Sequence, residues 1–275
     1  MDTAVKKKTC MICQPHGIGD ILFVQKIILH YAELGFHVVV PILERLSWMR
    51  YYIVPHEDVE YPLISVRDGV WGGGFKFANI FLALHAASSG QQNKENASYA
   101  NPVLYNGGDE ENSFIFLALG SSYQWLKENM MPAKYLYAGL DYADWTDFVH
   151  LKRREHVERE LYDDVLGLKD DSLYTLVNEK SSSKTIPLNV PGKVVTLREL
   201  DAFTLFDWSL VIEKAAQIVT IDTSLVILTE VLKQKKPLYM ISRYDPPSFD
   251  PLKEILTLDW NLVLKPEDLK VNPVE

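Results

Sequence analysis

The sequence predicts an α/β protein made of two Rossmann-like lobes facing a central cleft. Three observations carry this. Short β-branched runs alternate with segments of helical periodicity, the alternation occurs in two successive series, and glycine or Asp-Thr-Ser turns stand where strands pass into helices. The chain has 275 residues, about twice a common domain size, which accommodates two lobes of about 130 residues each. In such folds ligands bind outside the carboxyl ends of the strands, so the two sheets are expected to present those ends to the common cleft.

The first lobe is expected over residues 1–140. Residues 8–14 read as a buried strand that ends in the turn Pro15-His16-Gly17-Ile18-Gly19, and residues 20–34 as one helix with Ile21, Leu22, Val24, Ile27 and Ile28 among its apolar positions. Gly35 ends that helix and residues 36–40 form the next strand, completing a strand–helix–strand unit. Residues 45–53 read as a helix and 62–66 as a strand. Gly72, Gly73 and Gly74 read as a flexible turn before an aromatic-rich helix over 75–85. The polar stretch 88–111 reads as a long loop and 113–119 as a strand. Residues 137–146, with Gly139 and two Asp, have little periodicity and read as the linker. The second lobe, 147–275, opens with a strand over 148–152 and a helix over 155–166 ended by Gly167. Strands over 173–177 and 194–197, a helix over 207–216, a strand over 218–221, a helix over 223–233 and a strand over 238–241 follow.

Composition narrows the function classes. Hydrophobic residues make up 47% and charged residues 24%, proportions that support a buried core and exclude a disordered chain. With 28 Lys and Arg against 37 Asp and Glu the net charge is −9, so no extended nucleic-acid surface is expected. Cys10 and Cys13 are too few to staple a secreted fold, and a reducing, cytoplasmic setting is expected. Strand alternation sends their side chains to opposite faces and no second pair completes a metal site. Lys6, Lys7 and Lys8 resemble the start of a signal peptide, but the apolar run behind them stops at Gln14-Pro15, and no transmembrane segment is expected.

Three turns are candidates for chemistry. In His16-Gly17-Ile18-Gly19-Asp20 the glycines permit close backbone approach to a ligand, and Asp20 is either a first-turn carboxylate favoured by the helix dipole or a catalytic base. It is not a dinucleotide fingerprint, since Leu22 stands where a third glycine is required. His150-Leu151-Lys152-Arg153-Arg154 places three cations before a helix, either to bind a diphosphate or as a solvated turn neutralised by Glu155, Glu158 and Glu160. Asp222-Thr223-Ser224 follows a β-branched strand and either caps the next helix or holds phosphate. Arg243, after the last strong strand, is a further candidate or a surface salt bridge. Trp125, Trp145 and Trp208 are either sugar- or base-stacking residues or core.

In this order, the Gly-Ile-Gly-Asp turn, the basic segment opening the second lobe and the run Ile218-Val219-Thr220-Ile221-Asp222-Thr223-Ser224 ahead of Lys236-Pro237-Leu238-Tyr239 resemble GT-B glycosyltransferases, most closely the heptosyltransferase-like glycosyltransferase family 9. The resemblance implies an N-terminal acceptor lobe and a C-terminal donor lobe, with Asp20 as the base that deprotonates the acceptor hydroxyl. It implies a donor diphosphate held by Asp222, Thr223 and Ser224 and by cations among Lys152, Arg153 and Arg154, with Gly17 and Gly19 also among the donor- or phosphate-binding residues and His16, His150 and Arg243 as additional site residues. The family pattern has Gly and His where this chain has Ser224 and Ile227. The partners implied are a nucleotide sugar and a glycan or other hydroxyl acceptor, with no cofactor, no metal and inverting chemistry. A non-catalytic nucleotide-sugar or glycan-binding module and a sugar-nucleotide epimerase are the alternatives.

Overall fold

The computed structural model describes residues 7–67, 70–89, 101–109, 111–122, 126 and 129–274. The chain divides into two compact units, Met1–His150 and Leu151–Glu275. Each is built on one main sheet.

In the first unit β1 (Thr9–Ile12) is central. It pairs in parallel with β2 (His37–Val39) on one side and β8 (Phe114–Leu117) on the other. β4 (Val59–Glu60) extends the sheet beyond β2, and β7 (Val103–Tyr105) closes it antiparallel beyond β8, giving the order β4-β2-β1-β8-β7. Cys10, Met11 and Ile12 are fully buried, as expected of a central strand covered on both faces. A smaller sheet joins β3 (Ile42–Leu43), β5 (Leu63–Arg67) and β6 (Val70–Gly73).

Several local expectations are corrected. The helix expected over 20–34 is two, α1 (Ile18–Phe23) and α2 (Gln25–Glu33), interrupted at Val24. The buried Gln25 side chain donates to the Ile21 carbonyl at 2.9 Å, the acceptor a continuous helix reserves for its own backbone. Residues 44–51 form a 3-10 helix. Gly72 and Gly73 are not a loose turn but part of β6, where a Cβ on Gly73 would stand 3.1 Å from Ile64 and 3.3 Å from Ala78, so that a side chain there would make its neighbours give by a few tenths of an ångström. The aromatic-rich helix is α3 (Ala78–Ser89), and the segment 88–111, expected as loop, contains β7. Residues 90–100 and 110 of it lie outside the described residues.

Residues 137–146 pack on the first unit. α4 (Met130–Ala138) runs into them and ends at Gly139, whose φ of 72° is the left-handed value glycine adopts readily. Trp145 is fully buried, and the Lys26 ammonium donates to the Asp141 carbonyl at 2.6 Å. The strand expected over 148–152 is absent. A 3-10 turn (Trp145–Phe148) occupies its start, and the His150 carbonyl accepts a lone bond from the Val54 N–H at 3.1 Å.

The second unit has a fully parallel sheet, β10 (Val194–Thr196), β9 (Thr175–Asn178), β11 (Gln217–Ile221), β12 (Leu238–Ile241) and β13 (Trp260–Val263), in that spatial order. Counted within the unit this is 2-1-3-4-5, the doubly wound order whose connections reverse between β9 and β11. β13 escaped sequence reading because it is short and its burial does not alternate, Leu262 being exposed beside exposed Asn261. α5 (Glu155–Glu160) passes into a π-turn over Leu161–Val165 and stops at Gly167, φ 63°. α6 (Ser209–Lys214) and α7 (Ser224–Val231) complete the described α-helices of this unit. No helix among the described residues is long and apolar enough to cross a membrane.

A buried carboxylate ties α7 to the edge of this sheet. Glu230, fully buried, accepts from Trp260 Nε1 at 2.7 Å, from the Thr257 backbone and hydroxyl at 2.8 and 2.5 Å, and from the Leu258 N–H at 3.3 Å. Four donors replace the water the carboxylate lost. Removing it orphans all of them. Glu230→Ala is expected to lower the unfolding free energy by about 3 kcal/mol in urea denaturation.

Candidate functional site

Connections leave β1 toward β2 on one side and the chain returns to β8 on the other, so the first sheet reverses order between β1 and β8. A cavity of about 690 Å³ opens at this point, lined after β1 by Gln14, His16, Gly17 and Asp20 and after β8 by Gly120 and Ser121. Trp71 of β6, His85 of α3 and Lys134 of α4 also line it.

The turn at its floor is set by Gly17. Its φ is 77°, and a Cβ there would fall 2.3 Å from Asp20 Oδ2, so glycine is required both by the backbone and by the carboxylate folded back over it. Gly19 is buried in the first turn of α1. Asp20 Oδ1 stands 3.1 Å from the Lys134 ammonium. Lys134 is only 1% exposed, whereas the Asp20 side chain is 29% exposed. A buried ammonium is costly without a counter-ion, so the carboxylate is fixed by the cation behind it while keeping access to the cavity. Lys134 is in turn positioned by its neighbour: the Tyr135 hydroxyl donates to the Phe23 carbonyl at 2.7 Å and its ring packs on Phe23, locking α4 to α1.

Aromatic rings form one wall. His16 and Trp71 lie edge to face at 5.3 Å, and Trp71 and His85 at 5.1 Å. Burial pushes the His85 imidazole down to about 4, with His16 beside it adding to the effect, so the ring is neutral near pH 7. His85 Nδ1 lies 3.2 Å from both Cys13 Sγ and Ser89 Oγ. His16 is also lowered, by burial first and then by Arg45, with Asp20 opposing. Burial pushes the Cys13 thiol far up, which keeps it protonated and unreactive.

In the second unit the reversal point between β9 and β11 gathers Asn178, Thr220 and Thr223. Asn178 Nδ2 donates to Thr220 Oγ1 at 3.1 Å and to Thr223 Oγ1 at 2.9 Å. Thr223 caps α7, its Oγ1 accepting from the Leu225 N–H at 3.3 Å, and Ser224 opens the helix, half-buried. Asp222 is buried and its N–H donates to the Ile241 carbonyl. Ile227 lies in the core.

The basic segment departs from its expected role. Arg153 binds Glu158 through Nε and Nη2 and Glu213 at 2.8 and 3.0 Å, so its guanidinium clamps α5 to α6. Those bonds hold it charged throughout the accessible pH range. Arg154 makes a paired bond with the fully buried Asp207, at 3.1 and 2.7 Å, and the same carboxylate accepts the Thr204 backbone N–H in a capping box. Both guanidinium groups are committed to carboxylates inside this unit; Lys152 is exposed. His150 is exposed and belongs to the first unit. Arg243 follows β12 and lies over the Tyr244 ring at 5.4 Å. Trp145 and Trp208 are core residues, and Trp125 lies outside the described residues.

Sequence reading passed over Lys134, His85 and Trp71. The first two had a signal, His85 being the one ionisable residue of α3 and Lys134 the one charged residue of α4; Trp71 is brought to the site by the pairing of β5 with β6.

No model of a protein family matches the chain, and no curated protein matches it. Among solved structures it is similar to glycosyltransferases. One is a glycosyl transferase family 9 protein from Veillonella parvula DSM 2008, at 11% identity over 93% of this chain and 86% of the other, with a TM-score of 0.49. A second is the iron-containing dodecameric glycosyltransferase TibC from enterotoxigenic E. coli H10407, at 11% identity over 86% and 58% with a TM-score of 0.44. A third is the E. coli heptosyltransferase WaaC with ADP, at 15% identity over 86% and 88% with a TM-score of 0.35. Likeness at this level assigns neither a family nor an activity to the chain.

The Asp20–Lys134 pair is asymmetric, and that can be measured. Removing Lys134 leaves a carboxylate that water can reach, whereas removing Asp20 leaves an ammonium that water cannot. Asp20→Asn is therefore expected to destabilise the protein by roughly 2–3 kcal/mol and Lys134→Met by less, as read from urea denaturation at pH 7.

Proposed function

We propose that the chain is a glycosyltransferase that moves a sugar from a nucleotide-sugar donor to a hydroxyl group of a glycan or other acceptor, by inverting displacement and without a metal. The observation that carries this reading is the Asp20 carboxylate, held on a buried cation and presented to a cavity at the reversal point of the first sheet. A second reversal point, with hydroxyls and a helix N-terminus, in a separate α/β unit supports a two-substrate reaction.

In this reading the acceptor occupies the first unit and Asp20 is its base. The acceptor oxygen forms a bond to the anomeric carbon as the bond from that carbon to the phosphate oxygen breaks. The acceptor proton passes to Asp20, and the electron pair of the broken bond leaves with the nucleoside diphosphate. Thr223, Ser224 and the first N–H groups of α7 are the donor-phosphate groups, Asp222 supports their turn, and Lys152 supplies positive charge. Arg153 and Arg154 serve by holding α5 and α6 in place. His16, His150 and Arg243 remain additional candidates, His16 as a wall of the acceptor cavity. Two free, buried cysteines fit a reducing, cytoplasmic compartment.

A non-catalytic nucleotide-sugar or glycan-binding module is the second reading, favoured by Ile227, a core side chain where the resembling family has a histidine. Turnover separates the two. With a panel of nucleotide sugars and mixed glycan acceptors, the wild-type chain is expected to release nucleoside diphosphate only when acceptor is present. Asp20→Asn is expected to lower that rate by roughly 10²–10⁴-fold while calorimetric affinity for the nucleoside diphosphate is unchanged. Turnover at the wild-type rate in Asp20→Asn overturns the base assignment, absence of turnover in the wild type supports the binding module, and donor conversion without acceptor supports an epimerase.

A further inference from the structure

The cavity of the first unit carries more information than its carboxylate. Lys134, the cation that lines it, is already matched by Asp20 and hidden from solvent, so it adds no net positive charge to the cavity. Arg45, near enough to His16 to influence it, is exposed and outside the lining. The two imidazoles in the wall are both driven toward the neutral form by burial. An acceptor bearing phosphate or carboxylate would meet no spare charge here, and burying it uncompensated is costly.

Gln14 and Asp20 line the cavity with acceptor oxygens, beside the hydroxyls of Ser89 and Ser121, which both donate and accept. Gln14, 4% exposed, donates through Nε2 to the His16 carbonyl at 2.9 Å, while its Oε1 is buried without a hydrogen-bond partner among the described residues. That oxygen lies next to Gly120, where a Cβ would stand 3.6 Å away. Its lone pairs and the oxygens of Asp20, the member of the ion pair that water reaches, are acceptors for hydroxyl hydrogens, and the neutral Asp20–Lys134 pair leaves no net charge to attract an anion. Beside these oxygens, half-buried Trp71 lines the cavity with an indole that packs nearly perpendicular to the rings of His16 and His85. A ligand here must offer an apolar face, bring hydrogen-bond donors and carry no negative charge. A pyranose ring has all three properties: C–H bonds on one face and hydroxyls around its rim.

We propose that this cavity receives an uncharged sugar ring, its apolar face against Trp71 and a hydroxyl directed to Asp20. The proposal rests on the glycosyl-transfer reading and names its acceptor class. Trp71 acts as a platform that sets specificity, not as a catalytic residue.

The test uses the full chain and saturation-transfer NMR with methyl glucoside, methyl galactoside and methyl mannoside as neutral probes, against glucuronic acid and glucose 6-phosphate. At least one neutral glycoside is expected to bind, at least about tenfold more tightly than either anion. Trp71→Ala is expected to weaken it by about tenfold or more and Trp71→Phe by less, since phenylalanine keeps a ring. Trp71→Phe also guards against misfolding, and near-ultraviolet circular dichroism checks both variants. Anions that bind as well as the neutral glycosides, no neutral glycoside that binds at millimolar concentration, or Trp71→Ala with unchanged affinity in a folded protein each overturns the proposal. Failure of the two readings is distinguishable. Neutral binding without transfer from any donor removes the transferase reading and leaves the cavity's preference standing, whereas transfer to an acidic sugar does the reverse.

Discussion

A lysine ammonium with almost no access to water is the constraint on which the first unit is built. Moving Lys134 out of solvent costs several kcal/mol unless an anion offsets it, and Asp20 is that anion. The carboxylate reaches it only because Gly17 takes a left-handed conformation and has no side chain in the way. The cation reaches the carboxylate only because the Tyr135 hydroxyl and ring fasten α4 against Phe23. Turn, helix and ring packing therefore serve one ion pair. The result is a carboxylate fixed in direction yet open on the cavity side, which is the state a base needs before substrate arrives.

The chain uses one topological device twice and equips it differently. In both units the connections change side between two parallel strands, the arrangement that leaves a gap for ligand beyond their carboxyl ends. The first unit fills the edge of the gap with a charged pair and aromatic rings; the second fills it with an amide, threonine hydroxyls and the start of α7. One set handles protons and a ring face. The other has the groups that suit a phosphate. Arg153 and Arg154, which by residue type alone suit an anion, instead neutralise buried Glu158 and Asp207, so the second unit spends its strongest donors on its own packing.

Local pattern carried much of this into the sequence. β-branched runs such as Ile218-Val219-Thr220-Ile221 can be read because burial on both faces favours apolar and β-branched residues, and His16-Gly17-Ile18-Gly19-Asp20 because few residue types tolerate that backbone. What escaped depends on partners distant in sequence. Gly72 and Gly73 pair with Ser65 and Ile64, which turns an apparent loop into a strand and brings Trp71 beside His16. Lys134 lies more than a hundred residues from Asp20, and Glu213 sixty from Arg153. Charge pairing at such separations has no periodicity to betray it. The segment after Phe148 failed for the opposite reason: its residue types suit a strand, but among the described residues it joins neither sheet of the first unit.

The central claim is that Asp20 does more than balance a buried charge. Transfer measured in Asp20→Asn/Lys134→Met, where the cation is removed together with the anion, tests it most directly. Because the double substitution leaves no orphaned charge, stability is expected to return most of the way toward wild type. The account predicts that transfer stays at background in this folded, restabilised protein. Recovery of transfer along with stability would contradict it and reduce Asp20 to the counter-ion of Lys134.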